Sequence, residues 1–163
     1  MSITIQNTLP LTSKVWVYQS DRDFNNEELQ ILRSKLLDFN ATWAAHGTEL
    51  NSSIEVYYNR FIVFFVDESG QNATGCSIDK SVGLIKSIES EFSLSLLDRM
   101  NVLYWEGQEL KSAKLSAFKQ LLADGSLNSN TRVFNNLVKN KEEFLKQWEC
   151  TVATSWQKNL LVQ

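Results

Sequence analysis

The sequence feature that most constrains the fold is Phe61–Val66, a run of six apolar residues and the longest in the chain. Aromatic and β-branched residues favour strands, and a short apolar run is typical of a strand at the centre of a sheet. A membrane-spanning helix needs about 20 apolar residues, so this run is too short to cross a bilayer. The sequence therefore predicts a globular chain built around this strand.

Two more strands are predicted before and beside this run. Lys14–Ser20 alternates between two apolar faces, one of which carries Trp16 and Tyr18, so it is expected to be a central strand. Ser53–Tyr58 is rich in strand-forming residues and is expected to pair with Phe61–Val66 as a hairpin, although the turn lacks the favoured Asn-Gly.

Helices are predicted between the strands. Asn25 and Glu28 have the spacing of a capping box, which marks a helix start. A second helix is predicted at 79–92 and a third at 112–125. The apolar stripe of the first helix recurs at steps of three and four: Leu29, Leu32, Leu36, Phe39 and Trp43.

A fourth strand at Asn101–Trp105 completes the order β-α-β-β-α-β, which is that of the ferredoxin-like fold. The predicted class is therefore α+β with a ferredoxin-like βαββαβ core. The first and third strands are expected to be parallel neighbours at the centre of the sheet. Both helices are expected on one face of that sheet.

The chain is predicted to form a single domain, 1–163, with the core at 1–110 and a mainly helical extension at 111–163. The sheet face opposite the helices is expected to expose large apolar groups, such as Trp16 and Tyr18 or their neighbours. An apolar patch of that size needs a cover. The extension is one candidate cover, and a second copy in a homodimer is the other.

Charge and cysteine content narrow the function classes. Residues 1–110 carry 8 basic and 15 acidic side chains and residues 111–163 carry 8 basic and 4 acidic, which argues against a nucleic-acid binder with a dense basic stripe. Two cysteines, Cys76 and Cys150, are too few for a disulfide scaffold. With no secretion signal in Met1–Leu11, they favour the cytoplasm. One histidine, His46, cannot build a His-rich metal site.

Polar side chains are expected to converge where the first and third strands end, since parallel neighbours end at the same edge. Carboxylates there are suited to a divalent cation, and the start of the second helix is suited to an anion. The alternative is that these residues are ordinary loop acids and helix caps. The candidate residues are Asp21, Asp23, Asp67, Glu68, Gly75, Cys76, Ser77 and Asp79.

Gly70–Ser77 has the spacing of the Walker A phosphate loop, G-x-x-x-x-G-K-[ST], but with Cys76 at the lysine position. A thiol cannot supply the lysine's charge to the β- and γ-phosphates. The sequence therefore predicts that the chain is not a working P-loop ATPase. Backbone N–H groups at the helix start are still able to hold a simple anion.

Two other motifs each have a functional and a structural interpretation. Cys76 at a helix start, with His46 as base, is a candidate nucleophile; the alternative is a small cysteine that packs the loop. Asn59–Phe65 is similar to the third strand of the RNA recognition motif but lacks its glycine. Core packing is the alternative for this strand.

Several stretches resemble an uncharacterised family of bacterial proteins of about this length. They are Val15–Ser20, Trp43, His46-Gly47, Tyr58–Ile62, Asp67-Glu68, Thr74–Asp79, Asp98–Asn101 and Val133–Val138. Some members are labelled "ABC transporter ATPase", which implies a transport ATPase, whereas the chain lacks the Walker A lysine and an LSGGQ-like signature. The resemblance implies no catalytic residues.

The favoured interpretation is a non-catalytic binding or regulatory protein of the bacterial cytoplasm. Its expected partner is an unknown protein or a small anionic ligand, and no cofactor is expected. The alternative is a metal- or phosphate-dependent enzyme that uses the acidic end of the central strands, with a divalent cation. An RNA-binding module is the third hypothesis.

Overall fold

The computed structural model describes residues 6–45 and 47–161, and the chain forms two compact units. The first unit comprises 1–97 and 139–145, and the second comprises 98–138 and 146–163.

Mixed helices and sheets confirm the α+β class. In chain order the elements are β1 (Lys14–Gln19), α1 (Asn26–Thr42), β2 (Ala44–Ala45), β3 (Thr48–Glu49), β4 (Asn51–Tyr57), β5 (Phe61–Asp67), α2 (Gly75–Phe92), β6 (Asn101–Glu106), β7 (Glu109–Lys114), α3 (Leu115–Ala123), β8 (Arg132–Phe134), α4 (Lys141–Gln147) and β9 (Glu149–Thr151), followed by 3₁₀ turns at Val152–Thr154 and Trp156–Leu160.

The first unit contains a three-stranded sheet in the order β1-β5-β4, and both pairings are antiparallel. The expected parallel pairing of the first and third predicted strands, β1 and β5, is therefore wrong. A short turn joins β4 to β5 and makes them antiparallel. The crossover through α1 then makes β1 parallel to β4, with β5 inserted between them.

The turn between β4 and β5 explains how a hairpin forms without Asn-Gly. Tyr58 and Asn59 both adopt positive φ angles, 53° and 54°. The N–H of Arg60 donates to the carbonyl oxygen of Tyr57 at 3.0 Å. Two consecutive left-handed residues give the backbone twist that suits a tight hairpin, and asparagine tolerates this conformation better than most residues.

Helix α1 begins where the capping box predicts. The N–H of Glu28 donates to Oδ1 of Asn25 at 2.8 Å, and the N–H of Asn25 donates to Oε1 of Glu28 at 3.0 Å. The predicted stripe packs on one face of the sheet together with residues of α2. Its buried members are Leu29, Leu32, Leu36 and Trp43, and Phe39 is partly buried.

Trp16 and Tyr18 lie on the helix-covered face of the sheet, so it is their neighbours Val15 and Val17 that lie on the opposite face. Trp16 contacts Trp43 edge-on at 6.5 Å between ring centroids, and Tyr18 contacts Phe64 at 5.6 Å. Burial against two helices explains why this face of β1 is so aromatic.

The opposite face of the sheet is covered in part by the first residues of α4. Phe144 is fully buried and packs on Phe65 at 5.4 Å and on Tyr57 at 5.5 Å between ring centroids. The residues just before α4 cover the outer edge of β1, because the N–H of Val15 donates to the carbonyl oxygen of Lys139 at 3.1 Å. Part of the predicted C-terminal extension thus packs on this sheet.

The second unit contains a four-stranded antiparallel sheet in the order β7-β6-β8-β9, with α3 packed against it. Its core includes Val102, Tyr104, Phe118 and Val133. The predicted fourth strand, β6, pairs here and not beside β1, so the four-stranded ferredoxin-like sheet does not form. No helix among the described residues is long and apolar enough to cross a membrane.

Candidate functional site

The antiparallel sheet separates the acidic residues that were expected to converge. Gln19, at the end of β1, pairs with Phe61, whereas Lys14, at its start, pairs with Val66. Asp21 and the neighbouring Asp23 therefore lie near one end of the sheet. Asp67 and Glu68 lie at the other end, about 20 Å away at the usual rise of a strand.

Asp21 and Asp23 surround the buried guanidinium of Arg60. Arg60 Nη2 donates to the carbonyl oxygen of Asp21 at 2.8 Å, and its Nε lies 3.2 Å from Oδ1 of Asp23. Burial lowers the pKa of Arg60, and the carboxylates of Asp23 and Asp21 oppose that shift. Asp21 Oδ1 also accepts the N–H of Ser95 at 2.9 Å. These contacts hold together the turns at this end of the sheet.

Asp67 and Glu68 are held by contacts of their own. Asp67 Oδ1 accepts the N–H of Ser69 at 3.0 Å, and its Oδ2 accepts Nδ2 of Asn51 at 3.2 Å. The hydrogen bonds from Ser69 lower the pKa of Asp67. Glu68 Oε1 lies 3.0 Å from Nζ of Lys14. This is the geometry of a turn-forming aspartate beside a surface ion pair.

Helix α2 begins at Gly75, four residues before the predicted start. The Oγ of Ser77 accepts the N–H of Thr74 at 2.7 Å, and Oγ1 of Thr74 accepts the N–H of Ser77 at 3.2 Å. Gly75, Cys76 and Ser77 therefore form the first turn of α2. The carbonyl of Ser77 accepts the indole N–H of Trp43 at 2.9 Å. Ser77 is thus buried as a packing and capping residue.

Other predicted site features do not assemble among the described residues. No group of three or more His, Cys, Asp and Glu residues is placed to hold a metal ion in residues 6–45 and 47–161. Cys76 and Asp79 are exposed on α2, and the proposed base His46 lies outside the described residues. Phe61 and Phe65 are 0% exposed, so β5 cannot stack its rings on RNA bases.

A groove of about 500 Å³ lies between α1 and the edge strand β4. Apolar side chains alternate with polar ones along it, so an occupant would meet both kinds of group. Leu37 is the most exposed large apolar side chain of α1, with 72% of its surface accessible. The lining comprises Gln6, Arg33, Leu36, Leu37, Asn40 and residues 53–57.

Some polar groups of the groove already form hydrogen bonds within the chain, and others do not. Glu55 Oε1 accepts the N–H of Gln6 at 2.8 Å, and its Oε2 accepts a hydrogen bond from Asn7 Nδ2. Asn40 Nδ2 donates to the carbonyl oxygen of Ser52 at 3.1 Å. Exposed Arg33 has no ion-pair partner in the part of the chain that the structure describes. The groove therefore presents one available positive charge.

One sequence feature points toward this groove. Leu37 lies next to the apolar stripe of α1 but outside it, on a face that is otherwise polar. An isolated leucine on a polar face is common. Leu37 therefore indicates a groove only when β4 is known to be an edge strand.

Comparison with known proteins does not assign a family. No protein-family model matches the chain, and no curated protein or solved structure does so either. Function must be inferred from the residues of the groove and of the acidic turns.

Proposed function

We propose that the chain is a non-catalytic binding protein that binds an extended polypeptide segment along β4. The observation that carries this proposal is an edge strand beside a groove lined by both apolar and polar side chains. β4 is at the edge of its sheet, and no described strand pairs with its outer side. The other edge of the sheet, along β1, is covered by Lys139 and its neighbours.

The hydrogen-bonding direction of β4 supports a polypeptide as the partner. In antiparallel strands, successive residues direct their N–H and C=O groups alternately toward the two sides. The Ser52 carbonyl accepts from Asn40 on the outer side, which indicates that Ile54 and Val56 also direct their backbone groups outward. An added strand satisfies such groups, and pockets for alternate side chains give specificity.

The contacts of the acidic turns support a role without catalysis. The carboxylates of Asp21, Asp67 and Glu68 each accept a hydrogen bond from a backbone N–H in a neighbouring turn or loop. A transport ATPase, as the resemblance implies, is not part of the proposal, since position 76 is a cysteine where the phosphate-binding lysine is required. A metal- or phosphate-dependent enzyme and an RNA-binding module remain the alternatives to be tested against it.

We also propose a cytoplasmic location for the chain and a ferredoxin-like arrangement for the strands of the first unit. Neither Cys76 nor Cys150 forms a disulfide, which suits a reducing compartment. The order β1-β5-β4, with α1 connecting the two outer strands, is the split βαβ arrangement of ferredoxin-like folds with three strands in place of four.

The test is an amide NMR titration with two acetylated heptapeptides of alternating isoleucine and threonine, one with a central glutamate and one with a central lysine. The glutamate peptide is expected to shift amides of β4 and of α1 around Arg33, and the lysine peptide is expected to bind more weakly. Leu37→Asp should abolish these shifts. Leu137→Asp, at a leucine that is 64% exposed in the second unit, should not.

A parallel titration with Mn²⁺ tests the competing enzyme. Paramagnetic broadening concentrated at Asp67 and Glu68, and lost in Asp67→Asn, together with no peptide-induced shift on β4, would overturn the proposal. Shifts on β4 without such broadening would support it.

A further inference from the structure

We infer that the polypeptide bound along β4 is the same strand of a second copy of this chain, in an antiparallel, two-fold symmetric pair. This inference rests on the proposed function, because it names the partner of that same edge. The result is one continuous sheet across the dimer, with three strands from each copy. Two-fold homodimers are the commonest oligomers, and their interfaces are self-complementary.

The composition of β4 is the first argument. Proteins protect sheet edges with lysine, proline or bulges, which discourage pairing with another chain. Asn51–Tyr57 contains no lysine and no proline, and its pairing with β5 is continuous without a bulge. Its one charge, Glu55, is already bonded by Gln6 and Asn7. Nothing in the strand itself opposes an incoming strand.

The second argument is the register. A two-fold axis at Ile54 places each Ile54 opposite its counterpart, with their outward N–H and C=O groups in reciprocal bonds. The same axis pairs Ser52 with Val56 of the second copy. Both of these residues also direct their backbone groups to the interface. All seven residues of the strand then have a partner. Isoleucine opposite isoleucine is a favourable β-branched pair on the helix-covered face.

Charge disfavours two of the alternative registers. With the axis at Ile54, Glu55 lies opposite Ser53 of the second copy, whose hydroxyl is a suitable donor. An axis at Glu55 would place the two Glu55 carboxylates against each other. An axis at Ser52 would place Glu55 opposite Glu49 of the second copy. Like charges directly opposite each other are destabilising, so both of these registers are disfavoured.

The test uses the predicted Ser53–Glu55 pairing. Ser53→Glu places two like-charged pairs across the interface at once and is expected to weaken the dimer about tenfold in Kd. Ser53→Lys places lysine opposite the same glutamate and should leave the dimer as tight as the parent or tighter. Sedimentation equilibrium over a concentration series gives the three Kd values, and circular dichroism melts establish that each variant is folded.

Each outcome bears on the inference. A parent dimer weakened by Ser53→Glu but not by Ser53→Lys supports it. Equal Kd values for all three proteins would place the interface elsewhere and overturn it. A parent chain that stays monomeric at every concentration would also overturn it. In that case, peptide-induced shifts on β4 would leave the proposed function standing, so the two failures are distinguishable.

Discussion

Replacement of Glu28 by glutamine should remove a specific, pH-dependent contribution to folding stability. Glu28 forms a two-pronged ion pair with Arg22, with Nη1 to Oε1 and Nη2 to Oε2 both at 2.8 Å. It also accepts the N–H of Asn25 as part of the α1 capping box. The hydrogen bonds from Arg22 lower the pKa of Glu28 from 4.5 to about 2, and the Asn25 N–H contributes in the same direction against the effect of burial.

The size and sign of the effect follow from linkage. A shift of this size corresponds to about 3 kcal/mol of folding free energy if it is fully expressed. The Arg22 side chain is 42% exposed, so solvent and salt screening reduce the expected value to about 1–2 kcal/mol. Because the folded-state pKa is the lower one, this contribution is present above pH 4.5 and is lost as the pH falls toward 2.

Urea unfolding of the parent and of Glu28→Gln, measured between pH 7 and pH 2, gives the free-energy difference as a function of pH. The difference should be about 1–2 kcal/mol at pH 7 and should shrink toward zero near pH 2. Glu27→Gln, at an exposed position in the same helical turn, controls for the helix dipole and should cost at most about 0.5 kcal/mol. A difference for Glu28→Gln that is constant across this range would refute the reasoning.

Three further predictions concern packing, capping and thiol access. Phe144→Ala should lower the free energy of unfolding by urea by about 3–5 kcal/mol because the ring is fully buried. Leu145→Ala, at an exposed position, should lower it by less than about 1 kcal/mol. Similar losses of stability for both variants would contradict the packing of α4 on the sheet. Thr74→Ala should cost about 1 kcal/mol in a thermal melt by removing the α2 cap, and an unchanged Tm would count against that cap. Iodoacetamide should label exposed Cys76 before Cys150, whose pKa is raised by burial, as followed by peptide mass spectrometry; the reverse order would disprove this access pattern.

Local signals in the sequence predicted most helices and strands of the first unit. Asn25 and Glu28 marked the start of α1, and the leucine spacing marked its buried face, because both depend on neighbouring residues alone. The start of α2 was missed because its capping box has serine, Ser77, in place of the usual glutamate or glutamine. The cap is still reciprocal, since the Ser77 hydroxyl accepts the N–H of Thr74 and the Thr74 hydroxyl accepts the N–H of Ser77.

Strand direction and sheet membership were not readable from local patterns. Alternation predicts that Lys14–Gln19 is a strand but not whether it runs parallel or antiparallel to β5. That one choice decides whether Asp21 and Asp67 share an edge of the sheet, so the predicted acidic site failed with it. β6 instead pairs with β7 and β8 in the second unit, both antiparallel. Such pairings link residues distant in sequence and leave little local signal.

The candidate groove depends on the same long-range information. β4 has the composition of an ordinary strand, and only the order β1-β5-β4 makes it an edge. Arg33 and Leu37 look like ordinary surface residues of α1 in the sequence. Only the fold shows that they lie beside the edge strand. The residues that carry the proposed function can therefore be identified only from the strand order of the sheet.

The open edge of β4 is tested most directly by amide hydrogen exchange at single residues. Ser53 and Glu55 direct their N–H groups toward β5, so they should exchange slowly at every protein concentration. Ile54 and Val56 should exchange quickly in dilute protein and become protected as the concentration rises and β4 pairs with a second copy. Protection of Ile54 and Val56 that is equal to that of Ser53 and Glu55 even in dilute protein would contradict the account, because the edge would then already be covered within one chain.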